Sequence, residues 1–116
     1  MRIEKVFAMP FANLYPLYLK KVASKGRSRE ELDAVIGWLT GYGTSEIEQQ
    51  VGSGNDLEAF FATAPRQDLD ALAIKGVVCG VRVEQVEDPL MRRIRYMDKV
   101  VDELAKGKAV DKIVGR

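Results

Sequence analysis

A chain of 116 residues, 47% hydrophobic and 30% charged, fits one globular domain that can bury about two-thirds of its unfolded surface without a disulfide or structural metal. It has no histidine, which excludes Ser-His and Cys-His nucleophile pairs, imidazole bases and His-containing zinc or haem sites; its one cysteine, Cys79, excludes an internal disulfide, a Cys-x-x-Cys pair and a thiolate cluster. A net charge of +1 gives no global reason to expect nucleic acid or an anionic membrane.

Residues 6–19 are uncharged and Val22-Ala23-Ser24 resembles a small-residue cleavage site, but two prolines and Asn13 spoil the pattern of a secretory signal. No run approaches the roughly 18 apolar residues of a membrane span. Asn13 is a cap for a first helix with Pro16 in its tolerant first turn, Leu14, Leu17, Tyr18 and Val22 as the inward stripe, and Gly26 as its stop. A tight turn at Lys25-Gly26-Arg27 joins it to a better-marked helix. Ser28 with Glu31 forms a capping box, Leu32, Val35, Ile36 and Leu39 form one apolar face, and Gly41 supplies the left-handed stop, so Ser28–Thr40 reads as an amphipathic helix antiparallel to the first.

Two short helices follow by the same rules. Ser45 with Glu48 opens one that carries Ile47 and Val51 and ends at Gly52-Ser53-Gly54; Asn55 with Glu58 opens the next, with Leu57, Phe60 and Phe61 inward and Pro65 as its end. The stretch from Leu69 to Val86 is ambiguous, because its apolar spacing is helical while Val77, Val78, Val81, Val83 and Val86 are β-branched. The spacing favours helix to about Gly80 and extended chain beyond, with Gly76 and Gly80 on one helical face where another group packs close. Asp88-Pro89 then starts the longest helix, in which Leu90, Ile94, Met97, Val101 and Leu104 form an a/d seam that ends at Lys106-Gly107. Ala109–Val114 adds one short turn.

Chemistry-bearing residues are few. Cys79 sits among valines and reads as a small buried hydrophobe rather than a reactive thiol. Glu84, Glu87 and Asp88 cluster in sequence without the spacing of a metal loop, and Asp88 serves as a helix cap, so no metal and no catalytic residue is assigned. Arg92, Arg93, Arg95 and Lys99, with Tyr96 among them, resemble an anion-binding surface; the interleaved Asp98, Asp102, Glu103 and Asp111 dilute it to a solvated helix face. Residues 1–29 hold seven basic side chains against one acidic, but both candidate recognition helices are acidic, at Glu30-Glu31-Asp33 and Glu46-Glu48, which disfavours nucleic acid. Trp38 and Tyr42 lie off their helix's apolar stripe and are free to face a partner. Neither glycine pair continues into a phosphate loop.

Met9-Pro10-Phe11-Ala12 with Tyr15-Pro16, Trp38-Leu39-Thr40-Gly41-Tyr42, Phe60-Phe61 with Ala64-Pro65, and the run from Gly76 to Ile113 resemble a family of small bacterial proteins called domain of unknown function 2200. The resemblance covers the chain in order. It implies a compact, free-standing cytoplasmic protein and carries over no activity, substrate, cofactor or catalytic residue.

The fold expected is mainly α, a multi-helix single domain over residues 1–116 with room for one short valine-rich strand or hairpin; the alternative is a small α+β domain. The function expected is a non-enzymatic binding or interaction protein with no cofactor. The a/d seam serves either intramolecular packing, favoured because two heptads are short for a coiled coil, or a homodimer through the 89–106 helix. The rival is a histidine-free enzyme or small-molecule binder in which Arg82, Glu84, Glu87, Arg92 and Tyr96 converge as the valine-rich segment folds against the last helix. A third reading is weak nucleic-acid binding through Arg92 and Arg95.

Overall fold

The last long helix is the one around which the rest of the chain is built. The structure is a computed structural model that describes residues 3–116, with side chains described from Lys5 onward. Among the described residues it has seven α-helices and one two-stranded hairpin: α1 (Ile3–Phe7), α2 (Phe11–Ala23), α3 (Arg29–Thr40), α4 (Thr44–Ser53), α5 (Leu57–Ala62), β1 (Val77–Val78), β2 (Val81–Arg82), α6 (Pro89–Ala105) and α7 (Val110–Val114). Short 3₁₀ turns at Leu69–Leu72 and Val83–Gln85 flank the hairpin. The mainly helical expectation holds, and the valine-rich segment supplies the small hairpin.

Helix α6 packs against α1, α2, α3, α5, α7 and β1. No residue from Leu90 to Ala105 is exposed, and the seam residues Ile94, Met97, Val101 and Leu104 are all buried inside the one chain. Asp88 caps the helix by accepting from the Met91 amide at 2.9 Å, with Pro89 in its first turn, as the sequence predicts. Between α2 and α5, Phe11 stacks on Phe60 with ring centroids 4.1 Å apart, and Phe61 meets Phe60 edge-on at 5.1 Å. Each such fully buried side chain contributes about 1.5–3 kcal/mol of transfer free energy.

The predicted helix α3 is found with both halves of its capping box: Ser28 Oγ accepts from the Glu31 amide, Glu31 accepts from the Ser28 amide, and Gly41 closes the helix at φ 83°. Other boundaries move. Helix α2 starts at Phe11 rather than after Asn13, because a short antiparallel bridge between Pro10 and Asp56 fixes the chain just before it: the Phe11 amide donates to Asn55 O, and the Leu57 amide donates to Met9 O, both at 2.9 Å. Pro16 therefore lies inside the helix and Leu17 points outward, 60% exposed; the inward stripe is Phe11, Tyr15, Tyr18 and Val22. In α4 one half of a capping box forms, the Gly43 amide donating to Glu46 Oε1 at 3.0 Å, instead of the pair Ser45 and Glu48, and α5 is capped by Asp56, which accepts from the Ala59 amide at 2.8 Å, instead of Asn55. In both cases the start moves by one or two residues, since Glu46 and Asp56 offer acceptors of the same kind as Glu48 and Asn55.

The expected helix over 69–80 is absent. Val77 pairs with Arg82 and Val78 with Val81, so Cys79-Gly80 is a two-residue loop, and both residues have positive φ, 50° and 76°. That is the geometry of a type I′ turn, whose twist matches the flanking strands. Cys79 is exposed at its tip, so the expectation of a buried thiol is overturned; Val78 is buried, while the turn carries Cys79 out to the surface. Gly76 does admit a close neighbour, though for a different reason from the one its spacing implied. A Cβ there would lie 2.7 Å from Lys99 Cε, at φ 121°.

Candidate ligand cleft

The cationic face predicted on the last helix is not a free surface. Arg92 makes a two-pronged contact with Asp70, Nε to Oδ1 at 2.9 Å and Nη2 to Oδ2 at 3.1 Å. Arg93 donates to Gln67, and Arg95 pairs with Asp98. Glu103 gathers three cations: Lys99 at 3.6 Å, Lys108 at 3.7 Å and Arg116. What reads in sequence as a solvated face is a set of pairs covering the central helix.

The proposed cluster of Arg82, Glu84, Glu87, Arg92 and Tyr96 divides in two. Glu84 pairs with Arg82 at 3.6 Å and accepts from the Gly76 amide, and that amide hydrogen bond, the largest influence on it, holds its carboxyl below the usual value. Arg92 and Tyr96 converge instead on Asp70, which the sequence reading had not singled out. The Arg92 guanidinium, then the Tyr96 hydroxyl at 2.7 Å, hold the Asp70 carboxyl below its ordinary range. Of Glu87 only the backbone carbonyl takes part, accepting from Arg92. Tyr42 is buried, donating its hydroxyl to Phe60 O at 2.6 Å, and Trp38 is half-buried against the core.

A rule emerges from the four tyrosines, all of them buried. Tyr15 donates to Asp33, Tyr18 to Asp98, Tyr96 to Asp70 and Tyr42 to a backbone carbonyl. A phenol on an inward stripe needs an acceptor. For Asp98 that requirement is a signal in the sequence, since Tyr18 lies on a predicted inward stripe; Tyr15 and Tyr96 lie on no predicted stripe, so Asp33 and Asp70 have none.

Two cavities bear on function. One, of about 250 Å³, lies between α3 and α4 and is polar, lined by Arg29, Glu30, Asp33, Thr44 and Glu48. The other, of about 190 Å³, is a cleft where α1, α2, α5 and α6 meet. Six apolar side chains line it: Val6, Met9, Leu14, Leu57, Met91 and Ile94. At one end stand two charged groups from α6, Arg95 and Asp98, joined by an Nη1 to Oδ2 hydrogen bond of 3.3 Å. Asp98 also accepts the Tyr18 hydroxyl through Oδ1.

Burial is the largest influence on this pair. It pushes the Asp98 carboxyl above its ordinary 3.8, outweighing the opposite pull of Tyr18, Arg95 and Lys21, and it pushes the Tyr18 phenol well above 10. The phenol therefore stays protonated and remains a donor at neutral pH. Neither cavity includes Trp38, Tyr42, Arg82, Glu84, Glu87, Arg92 or Tyr96; of the candidate site residues named from sequence, Arg95 alone lines one. Among the described residues no group of three or more Cys, Asp or Glu is placed to hold a metal ion, and no helix is long and apolar enough to cross a membrane.

These features define a small, mainly helical domain with an apolar cleft closed at one end by an ion pair. The chain belongs to the family described as an uncharacterized protein conserved in bacteria, DUF2200, whose sequence profile matches residues 5–115. It is similar to a crystal structure of the uncharacterized protein SP1917, with 38% identity and a TM-score of 0.90 over 98% of this chain and 93% of that one. No curated protein matches it.

Proposed function

We propose that the protein binds a small molecule with an apolar body in the cleft between α1, α2, α5 and α6. The observation that carries this reading is the composition of the cleft: six apolar side chains around about 190 Å³, with a single polar end. Ligand pockets combine mostly apolar walls with a few convergent polar groups. The volume exceeds the roughly 150 Å³ that suffices for benzene in an engineered cavity. The expected cluster of Arg82, Glu84, Glu87, Arg92 and Tyr96 lines no part of this cleft, whose polar groups are Arg95 and Asp98.

Protein docking has less support. The large exposed apolar side chains among the described residues are Leu17 and Val77, and single exposed side chains do not make an interface. The seam of the 89–106 helix that would serve a homodimer, Ile94, Met97, Val101 and Leu104, is already buried inside the one chain.

A titration with 1-hexanol followed by amide NMR tests the reading. Saturable shifts are expected at Val6, Met9, Leu14, Leu57, Met91 and Ile94, and Leu14→Trp, which fills the cleft, should abolish them while the spectrum stays dispersed. Shifts scattered over the surface, or no shifts, overturn it.

A further inference from the structure

We infer that the ligand of this cleft carries an anionic head, a carboxylate or a group of the same shape, which docks on Arg95. The inference rests on the cleft being the binding site and adds the chemical class of what enters. Its basis is the different state of the two charged groups at the polar end. Both oxygens of Asp98 are engaged, Oδ1 by the Tyr18 hydroxyl and Oδ2 by Arg95 Nη1. Arg95 is less committed. A guanidinium has five N–H donors, and among the described residues Nη1 alone is in a hydrogen bond, while the side chain is 29% exposed on the cleft wall.

The neighbouring cation does not compete for the role. Lys21 is committed to Asp102 at 3.0 Å, so the Arg95 guanidinium is the charge with donors to spare at this end. An ammonium head would meet that guanidinium with the carboxylate already engaged. A carboxylate head would meet a planar fork suited to two parallel hydrogen bonds. The apolar walls leave room for a body the size of a benzene ring or a six-carbon chain.

Three probes with one tail and three heads separate the cases: hexanoate, 1-hexanol and hexylammonium, titrated at pH 7 with amide NMR or calorimetry. Hexanoate should bind at least about tenfold more tightly than hexanol, with hexylammonium weakest. Arg95→Gln should bring hexanoate down to the level at which the same variant binds hexanol, and an amide spectrum as dispersed as that of the natural chain shows that the variant is folded. Asp98→Asn should strengthen hexanoate severalfold, because it weakens the internal competitor for Arg95; a damaged fold would not produce a gain. Equal binding of hexanoate and hexanol overturns the head-group assignment and leaves the cleft as a site. Preference for hexylammonium, or a hexanoate preference that survives Arg95→Gln, overturns it likewise. No cleft shift with any of the three overturns both this inference and the reading beneath it.

Discussion

Tyr18 and Asp98, 80 residues apart in the chain, share a hydrogen bond that joins α2 to the central helix at the polar end of the cleft. The pair ties the first third of the sequence to the last, and its electrostatics can be tested apart from any ligand. Burial raises the Asp98 carboxyl above 3.8, so the folded chain holds this proton more tightly than the unfolded chain does. The stability linked to it is fully present below pH 3.8 and is lost as pH rises through the folded value. Asp98→Asn, a permanently uncharged stand-in, should therefore have a higher urea midpoint than the natural chain at pH 7, and the difference should narrow towards pH 3. A variant that loses more at pH 7 than at pH 3 would contradict this.

Gly41 and Gly54 both end helices in the left-handed region, at φ 83° and 76°, yet their surroundings differ. A Cβ on Gly41 would lie 2.9 Å from Pro65 Cβ and 3.0 Å from Arg66 N, whereas one on Gly54 would meet nothing within 4 Å. Gly54→Ala should cost about 1 kcal/mol, the left-handed penalty alone. Gly41→Ala should cost at least about twice that, read from the same denaturation series. Equal losses would mean that the Pro65 segment moves aside freely.

Cys79 occupies the first position of a turn that requires positive φ at both central residues, a conformation asparagine tolerates better than cysteine. Cys79→Asn should stabilise the fold by roughly 0.5–1 kcal/mol, raising Tm by about 2–5 °C in calorimetry. In the natural chain the thiol should react fully with a disulfide reagent without denaturant, as expected of an exposed side chain.

The sequence made helices legible where the chemistry of a boundary was unambiguous. Ser28, Glu31 and Gly41 bracket α3, and Asp88-Pro89 opens α6, because each end had one good solution. Around residues 43–46 and 55–58 several residues could cap, and tertiary contact chose among them. The start of α2 was hidden for the same kind of reason: a backbone bridge to Asn55 and Leu57 sets it, and no local signal reports a bridge between residues so far apart.

Valine-rich 77–86 failed as a helix because β-branching and the Cys79-Gly80 turn outweighed an apolar spacing that fits either period. The cleft was the least legible part. Its apolar walls come from four helices, and its acid, Asp98, sits among cations that made it look like mere dilution of a basic face. Only the need of Tyr18 for an acceptor hinted that an aspartate would be drawn inward.

The placement of α6 also bears on how the protein is made. The helix on which α1, α2, α3 and α5 pack leaves the ribosome after all of them, so Phe11, Tyr18, Leu32 and Ile36 emerge with apolar faces and no finished core to receive them. Early helices can flicker but cannot settle, and a polypeptide ending before Pro89 should show none of the slow amide exchange of the whole chain. Until Pro89–Ala105 has been made, those faces lack the surface that covers them in the finished fold, and they stay open to aggregation.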